Sequence, residues 1–236
     1  FKIMLFRSLF YYLLFLLNLL VFCIAFLPLF VMPRSIGLKV LSIWAKLSQK
    51  LLFYSCKIDF EVIGRDKIPN QKILIASKHQ SAWETINFIH ILNETPIMIF
   101  KKELLFIPLF GLYALKFGNI AINRKVGSYA IKDMIEKAKK TLRNNRPILI
   151  FPEGTRQGIL SESSYKRGIL ALYKNLNIPC VPVALNSGKY WPRNTLKKVP
   201  GKITVEFLDP IPPGIADDQF MEILKDQIDT ASKKLL

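Results

Sequence analysis

Short apolar runs that recur along most of the chain constrain its fold more than any other feature. They are rich in Ile and Val and are bounded by charged or turn-forming residues, and they read IDFEVIG, KILIAS, PIMIF, NIAIN, PILIFP, CVPVALN and KITVEFLD. Such runs are typical of β-strands. Amphipathic helical patterns accompany them, for example over residues 126–143 and 217–236. Because strands that alternate with helices form crossover units, the sequence predicts an α/β fold: a mixed, largely parallel sheet of about seven strands flanked by helices.

The first part of the chain is an uncharged apolar run between Arg7 and Arg34, in which Asn18 has the only amide side chain. About 20 apolar residues are enough to span a bilayer. A signal-peptide core is usually about 7–15 residues long and ends at a small-residue cleavage site, which this run lacks. The pattern therefore favours a retained membrane segment. Pro28 and Pro33 leave open a broken helix that dips into the bilayer instead of crossing it.

The segment after the apolar run has the pattern of a basic amphipathic helix. One narrow stripe holds Lys39, Lys46, Lys50 and Lys57, and the opposite side holds Leu41, Trp44, Leu51 and Leu52. This pattern is typical of a helix in an anionic lipid interface. It also fits a helix packed on the folded domain with solvated lysines, and both can hold at once. We expect residues 1–57 to form the membrane segment and basic helix, and residues 58–236 the α/β domain.

The balance of charge is strongly basic, with a formal net charge of +17. Such a charge indicates an anionic partner, which can be a membrane surface, a phosphorylated substrate or nucleic acid. The lysines that follow the apolar run favour the cytoplasmic face of a membrane for the domain. The three cysteines form no CxxC pair, and the chain has only two histidines. The sequence therefore predicts no disulfide framework and no metal site, and we expect no cofactor.

The segment SKHQSAWETI follows one predicted strand and begins a predicted helix. Catalytic and ligand sites in such sheets lie at the carboxyl ends of strands, so His79 and Glu84 can be a general base and its orienting carboxylate. The alternative is structural, because Ser81 and Glu84 have the spacing of a capping box. That alternative does not account for His79. The other histidine, His90, lies among apolar helical residues and is expected to be a packing residue.

Two more segments place polar residues at strand ends. In LIFPEGTRQG the strand opens into Glu153, Gly154, Thr155 and Arg156. A glycine lets the backbone approach a ligand closely, and the planar fork of an arginine suits a phosphate. No Gly-Lys-Ser/Thr follows, so this is not a Walker loop. Lys101 and Arg124 follow two further predicted strands. The alternatives are a surface turn and a basic loop. A Pro- and Lys-rich stretch, residues 190–201, is expected to form an exposed loop.

In this order the segments resemble the motifs of the glycerolipid acyltransferases, in particular the 1-acyl-sn-glycerol-3-phosphate acyltransferases. The first motif of that family is a histidine, four residues and usually an aspartate, and here it is a His-X4-Glu motif from His79 to Glu84, preceded by Lys78 in place of the usual asparagine. The second is similar to Lys101-Lys102-Glu103-Leu104, Pro108, Gly111 and Asn123-Arg124, with Asn123 where aspartate is common. The third is matched in full by residues 151–156, and the fourth by Val181-Pro182-Val183. The resemblance covers residues 58–208.

The resemblance implies transfer of an acyl chain from an acyl thioester, acyl-CoA or acyl-ACP, to the sn-2 hydroxyl of 1-acyl-sn-glycerol-3-phosphate, which forms phosphatidic acid. His79 would be the general base and Glu84 its orienting carboxylate. Arg156, Lys101 and Arg124 would bind the phosphate of the acceptor, and backbone N–H groups near Gly154 would face the reacting carbonyl. Thr155 of the same turn would be a further substrate-binding residue. Glu153 would orient the acceptor or hold Arg156. The acceptor itself supplies the attacking oxygen, so no acyl-enzyme is implied.

Three other functions remain open on sequence. The acceptor can be glycerol-3-phosphate or another lysolipid such as a lyso-ornithine lipid. The chain can be a non-enzymatic basic module that is tethered to the membrane, or an acyltransferase relative without activity, because Lys78, Glu84 and Asn123 depart from the family pattern. Nucleic acid is not expected as a partner, since no basic, aromatic-interleaved binding sheet is present in the sequence.

Overall fold

The computed structural model describes residues 2–236 with the exception of residues 108, 125–126, 144, 160 and 162–163. Pro108, part of the second motif, and Val126, at the start of a predicted helix, lie outside the described residues. The remaining chain forms one seven-stranded sheet with helices on both faces, and a pair of long helices at the N-terminus.

The sheet contains every strand that the sequence predicts. The strands are β1 (Ile58–Ile63), β2 (Leu74–Ser77), β3 (Ile97–Lys101), β4 (Ile120–Ile122), β5 (Ile148–Ile150), β6 (Cys180–Leu185) and β7 (Gly201–Phe207). Their order across the sheet is β1-β7-β6-β2-β5-β3-β4. All neighbours are parallel except β6 and β7, which are antiparallel. The predicted mixed, largely parallel α/β fold is therefore confirmed.

Each face of the sheet has its own hydrophobic core, because successive side chains of a strand point to opposite faces. Ile75 and Leu149 belong to the core on one side, whereas Leu74 and Ile148 belong to the core on the other. Every residue of β2, β5 and β6 is buried. This burial on both faces explains why these strands read as continuous apolar runs instead of alternating ones.

Eight α-helices are described: α1 (Lys2–Ala25), α2 (Arg34–Cys56), α3 (Trp83–Ile91), α4 (Phe110–Lys116), α5 (Ser128–Thr141), α6 (Arg167–Leu176), α7 (Ser187–Tyr190) and α8 (Asp217–Lys234). Helices α2 and α3 cover one face of the sheet, and α5, α6 and α8 cover the other. Helix α6 is absent from the sequence predictions. Two short 3-10 segments, Leu27–Phe30 and Lys102–Phe106, precede α2 and α4.

Helices α1 and α2 pack on the α/β part instead of standing apart from it. Tyr11 of α1 and Ala45 and Leu52 of α2 are almost fully buried in the same core as Trp83 and Ile203. The division at residue 57 stays a prediction, and packing crosses it. Among the described residues, α1 alone is long and apolar enough to cross a membrane, although buried core helices and signal sequences share those properties. About half of its residues are exposed.

The predicted basic helix is present as α2, with a difference at its end. Lys39, Lys46 and Lys50 are exposed on one side. Lys57, expected in the same stripe, lies beyond the helix and caps it in the left-handed region, with φ 55°. The apolar side of α2 packs on the core of the domain. Packing on the domain, one of the two interpretations, is confirmed, and lipid contact of the lysine side stays a prediction.

The loop of residues 190–201 is only partly exposed, so that expectation is wrong for two side chains. Trp191 is 5% exposed and Lys198 is 1% exposed. The Lys198 ammonium lies 3.5 Å from the ring centroid of Tyr12 and 4.2 Å from that of Trp191. Its backbone N–H donates to the Ser8 hydroxyl at 2.9 Å. The long stem and the charge of Lys198 thus attach this loop to α1 through cation–π contacts.

Candidate active site

A cleft of about 910 Å³ opens where β2, β5, β3 and β4 end. Strand β2 lies between β5 and β6, so the chain leaves it at the centre of the sheet, where clefts in open α/β sheets form. One end of the cleft is polar and the other is apolar. The polar end is lined by His79, Lys101, Arg124, Gly154, Thr155 and Arg156.

His79 follows β2 and is fixed by contacts to its ring and to its backbone. The imidazole stacks on Phe151, with 4.0 Å between ring centroids and 19° between planes. The His79 carbonyl accepts the N–H of Gln157 at 2.8 Å, and the His79 N–H donates to Glu153 at 3.4 Å. Residues 151–157 therefore hold the histidine from three directions. The ring remains at the cleft surface, with 14% of its side chain exposed.

Glu84 lies behind His79 and is fully buried. Its Oε2 is 3.9 Å from His79 Nδ1, and that nitrogen has no hydrogen-bond partner among the described residues. The carboxylate accepts the N–H groups of Gln80 and Ser81, each at 2.9 Å, and the hydroxyl of Ser187 at 2.5 Å. These donors fix the carboxylate so that one oxygen faces the imidazole. A small movement of the ring would form the hydrogen bond that orients a histidine base.

Ser81 and Glu84 also form part of the capping box that their spacing predicts. Glu84 reaches back to the Ser81 N–H, as the glutamate of a capping box does. The Ser81 hydroxyl accepts the N–H of Trp83 at 3.1 Å, whereas helix α3 begins only at Trp83. The other histidine, His90, is half-buried and contacts the Asn87 side chain at 2.9 Å, in agreement with its expected packing role.

Burial and neighbouring charges set the protonation of the pair. Burial, together with the cations of Arg156 and Arg124, lowers the pKa of His79 to about 3. Burial raises the pKa of Glu84 to about 7, against the opposing effect of the Ser187 hydroxyl and the backbone N–H groups. His79 is therefore neutral at pH 7, the form in which an imidazole can accept a proton.

The turn after β5 brings the cations of the site together. Gly154 has φ 71°, in the left-handed region, and its carbonyl accepts the Arg124 guanidinium. A Cβ at residue 154 would lie 3.2 Å from Arg124 Nη1, so a glycine here permits this close approach. Arg156 extends from the same turn into the cleft, and Lys101 at the end of β3 lines it as well. Three cations from three segments thus face the space beside His79.

Glu153 is placed differently from the expectation. It is fully buried and absent from the residues that line the cleft. Its Oε1 lies 3.6 Å from the Lys78 ammonium and accepts the His79 N–H. The carboxylate therefore faces the support of the His79 loop instead of an acceptor in the cleft, and no contact to Arg156 is described. The Lys78 ammonium and the His79 N–H account for the inward direction of this carboxylate.

The apolar end of the cleft is built by helical side chains that are not part of the motifs. Its walls come from α1, α2, α3 and α4 and include Phe15, Leu19, Phe22, Leu41, Trp44, Ile86, Ile89, Tyr113, Ala114 and Phe117. A deep apolar space that continues from a cationic mouth fits a molecule with a charged head and a long aliphatic chain.

The motifs also omit Ser187, which donates to Glu84 from α7. Only Asn186 separates it from β6, and a polar residue at the carboxyl end of a strand is the signal that would have indicated it. Among the described residues, no group of three or more His, Cys, Asp or Glu side chains lies close enough to hold a metal ion.

Comparison with known proteins gives one family and one fold. Residues 59–186 match the family model described as Acyltransferase. A 1-acyl-sn-glycerol-3-phosphate acyltransferase of Pseudomonas aeruginosa is 36% identical over 162 residues, which are 69% of this chain and 63% of the relative. The human 1-acyl-sn-glycerol-3-phosphate acyltransferase beta is 34% identical over 141 residues, which are 59% of this chain and 50% of the relative. The chain thus spans between half and two thirds of the length of these curated relatives.

A solved structure shares the architecture over nearly its whole length. The crystal structure of the 1-acyl-sn-glycerophosphate (LPA) acyltransferase PlsC from Thermotoga maritima is similar with a TM-score of 0.79, and the match covers 98% of this chain and 96% of that one. The sequence identity is 22%, so this likeness describes the fold.

Proposed function

The chain belongs to the acyltransferase family, and from that premise we propose that it transfers an acyl chain from acyl-CoA or acyl-ACP to the sn-2 hydroxyl of 1-acyl-sn-glycerol-3-phosphate. The product is phosphatidic acid, an intermediate of phospholipid biosynthesis. One observation carries the proposal: a neutral, carboxylate-backed histidine lies where a cationic mouth meets a deep apolar cleft. The named activity of the Pseudomonas aeruginosa and human relatives supports the same reaction.

In the proposed reaction His79 is the general base. Its Nε2 removes the proton of the acceptor hydroxyl as the oxygen attacks the thioester carbonyl. Glu84 accepts a hydrogen bond from Nδ1–H, which fixes the tautomer and stabilises the imidazolium as it forms. The tetrahedral intermediate then collapses, the C–S bond breaks, and the imidazolium returns its proton to the leaving thiolate. The acyl group passes directly from donor to acceptor without an acyl-enzyme, because the acceptor supplies the nucleophile.

The cations of the mouth would bind the acceptor phosphate. Arg156 and Arg124 are near enough to His79 to lower its pKa electrostatically, so a phosphate held by them lies close to the base. Lys101 adds a third cation. Binding of the dianion partly neutralises this charge and would thereby raise the basicity of His79 as substrate binds. The N–H groups of Thr155 and Arg156 remain candidates for the oxyanion, since the N–H of Gly154 already donates to the Phe151 carbonyl at 2.9 Å.

The membrane supplies both the acceptor and the place of reaction in this proposal. Tyr12, Phe15 and Leu19 of α1 line the same cleft as His79, so the helix that is long and apolar enough for a membrane is also a wall of the site. The apolar end would hold an acyl chain. The exposed lysines of α2 would face anionic headgroups, and the excess of lysines after α1 favours a position of the domain on the cytoplasmic side.

The test is an assay of the purified full chain with a panel of donors and acceptors. The donors are acyl-CoA and acyl-ACP, and the acceptors are 1-acyl-sn-glycerol-3-phosphate, glycerol-3-phosphate and a lyso-ornithine lipid. We expect turnover with the first acceptor, and a loss of about 10²–10⁴-fold in His79→Ala. The matched control is His90→Ala, which changes the other histidine and should keep most of the activity. Equal activity of His79→Ala and the wild type would contradict the assignment of the base.

The same panel separates the alternatives. Turnover with glycerol-3-phosphate or the lyso-ornithine lipid instead of the lysophosphatidate would change the acceptor and keep the chemistry. A folded wild-type protein that binds anionic vesicles but turns over no donor–acceptor pair would be a binding module or a relative without activity.

A further inference from the structure

A second group of charged side chains lies behind the cleft, on the side of His79 away from the substrate space. Lys78, the residue before His79, is 4% exposed and is not among the residues that line the cleft. Its ammonium lies 2.7 Å from Asp229 Oδ1 and 3.6 Å from Glu153 Oε1. A buried ammonium is costly unless it is paired, and here two carboxylates from distant segments pair with it.

Glu153 connects this group to the proposed base. It accepts the His79 N–H, while Gln157 of the same turn donates to the His79 carbonyl. The backbone of His79 is therefore held on both sides by residues 153–157. The contact to Glu153 is long, at 3.4 Å, and depends on the charge of the carboxylate, because a charged acceptor attracts an N–H more strongly than a neutral one. The charge of Glu153 thus bears on how firmly the imidazole is placed.

Asp229 brings the C-terminal helix into the same network. It lies in α8, and its Oδ1 is also 3.5 Å from the Tyr165 hydroxyl. Neither Lys78 nor Asp229 touches the substrate space. Their side chains are joined instead to the residues that carry His79, across the core between α8 and the end of β2.

We propose that Lys78 and Asp229 are positioning residues for the acyl transfer. Lys78 keeps Glu153 charged so that Glu153 holds the backbone of His79, and Asp229, the nearer partner of the Lys78 ammonium, limits how strongly that ammonium acts on Glu153. The inference rests on the proposed function and adds α8, which carries none of the recognised motifs, to the support of the site.

The two residues act on Glu153 with opposite sign. Burial raises the pKa of Glu153 to about 7; Lys78 opposes that rise and Asp229 adds to it. The other groups that face this carboxylate are the Tyr165 hydroxyl and the backbone of His79, whose imidazole is neutral. Removal of the Lys78 charge should therefore raise the pKa of Glu153, and removal of the Asp229 charge should lower it. If Lys78 and Asp229 only stabilised the fold, the two substitutions would not shift the pKa of Glu153 in opposite directions.

The experiment compares the pH dependence of kcat for the full-length wild type, Lys78→Met and Asp229→Asn. Glu84 titrates in the same range, but neither Lys78 nor Asp229 is among the groups that shift its pKa, so a difference from the wild-type acid limb reports on Glu153. We expect the acid limb of Lys78→Met to move up by about 1–3 pH units, so its deficit in kcat at pH 7 shrinks as the pH rises. The acid limb of the kcat profile of Asp229→Asn should move to lower pH. KM for donor and acceptor should change little in both variants. The control is Asp226→Asn in the same helix, which contacts Thr230 on the surface and should behave as the wild type.

The possible outcomes separate this inference from the proposed function. A wild type without acyl transfer overturns the proposed function. An active wild type whose two variants keep its pH profile, or shift it in one direction only, overturns the inference alone. Thermal unfolding of each variant verifies the fold. If Lys78→Met does not fold, Asp229→Asn decides, because it preserves side-chain shape: a downward shift supports the inference, and a lower Tm with an unmoved acid limb contradicts it.

Discussion

Glu84 meets two requirements with one buried carboxylate. It binds the backbone N–H groups of Gln80 and Ser81, which shapes the loop before α3, and it faces Nδ1 of His79. In the sequence the two roles are alternative interpretations of Glu84. It has the spacing of a capping box from Ser81 and also the spacing of the first motif from His79. In the structure the backbone contacts hold the carboxylate with Oε2 3.9 Å from Nδ1 of His79, which is longer than a hydrogen bond. Whether the carboxylate also serves catalysis is a question for a variant that keeps its shape and removes its charge.

Glu84→Gln is that variant. A glutamine keeps one oxygen acceptor but puts an amide NH₂ against donors, and it cannot stabilise an imidazolium by charge. We expect kcat to fall by at least about 10²-fold with KM nearly unchanged. Thermal unfolding should show a loss of about 1–3 kcal/mol, because one buried donor loses its acceptor. Steady-state kinetics and a melting curve measure both. The control is Glu136→Gln on the exposed side of α5. Full activity of Glu84→Gln would leave the residue with its capping role only.

Arg156→Ala tests the phosphate site. A charge-assisted contact is worth about 1.5–3 kcal/mol, so KM for 1-acyl-sn-glycerol-3-phosphate should rise by about 10–150-fold. KM for acyl-CoA should change much less. The control is Arg167→Ala, an exposed arginine at the start of α6. Equal increases in KM for acceptor and donor would contradict a role for Arg156 in binding the acceptor phosphate.

At the scale of elements, the sequence could predict the strands and the longer helices because their periodicity is strong. All seven strands and helices α3, α5 and α8 lie where the patterns indicate. Helix α6 was not recognised although it is as long as α3, because its N-cap is Lys166, which makes no side-chain capping contact, so that no residue indicates where the helix begins. The turn between the 3-10 segment and α4 requires a glycine at residue 111, because a Cβ there would lie 2.1 Å from the Leu105 carbonyl oxygen. Hydrophobic periodicity does not indicate such a close backbone approach.

The sequence could also predict which residues meet at the site, but not all of their orientations. His79, Lys101, Arg124 and the turn at residues 154–156 come together because parallel strands end at one edge of the sheet. The inward direction of Glu153 could not be predicted, because its partner Lys78 is in turn held by Asp229 from the last helix. The burial of Lys198 likewise depends on rings of α1, far away in sequence. Such contacts are set by tertiary packing.

Helix α4 offers a test of the apolar end of the cleft. Ala114 lines the cleft and is 6% exposed, whereas its neighbour Leu115 is 51% exposed and does not line it. Ala114→Phe should narrow the space and lower kcat/KM for long-chain acyl donors relative to short-chain ones. Leu115→Phe changes the same helix and should leave that ratio as in the wild type. A ratio that is unchanged in Ala114→Phe, with the fold intact, would show that the acyl chain lies elsewhere.

For the whole molecule, the positive charge and the exposed apolar surface belong to adjacent helices. Helix α1 exposes a row of large apolar side chains, among them Phe6, Leu13 and Leu20, and α2 packed beside it exposes its lysines. An amphipathic surface of this kind suits the interface of an anionic membrane, where each lysine near the surface contributes about 1 kcal/mol. The net charge of +17 is therefore distributed unevenly over the surface, because part of it is concentrated beside α1.

A charge-matched pair of variants separates this local effect from the net charge. Lys39, Lys46 and Lys50 replaced together by Gln should lose most of the preference for vesicles that contain anionic lipid over neutral vesicles, and the remaining binding should depend little on salt. Replacement of Lys132, Lys139 and Lys140 on α5 removes the same charge from the other face of the sheet, and that variant should keep the preference. Vesicle flotation of the full chain at low and physiological salt measures both. If the two triple variants lose the preference equally, the membrane senses total charge and α2 is not its contact, and the lysine side of this helix faces only solvent.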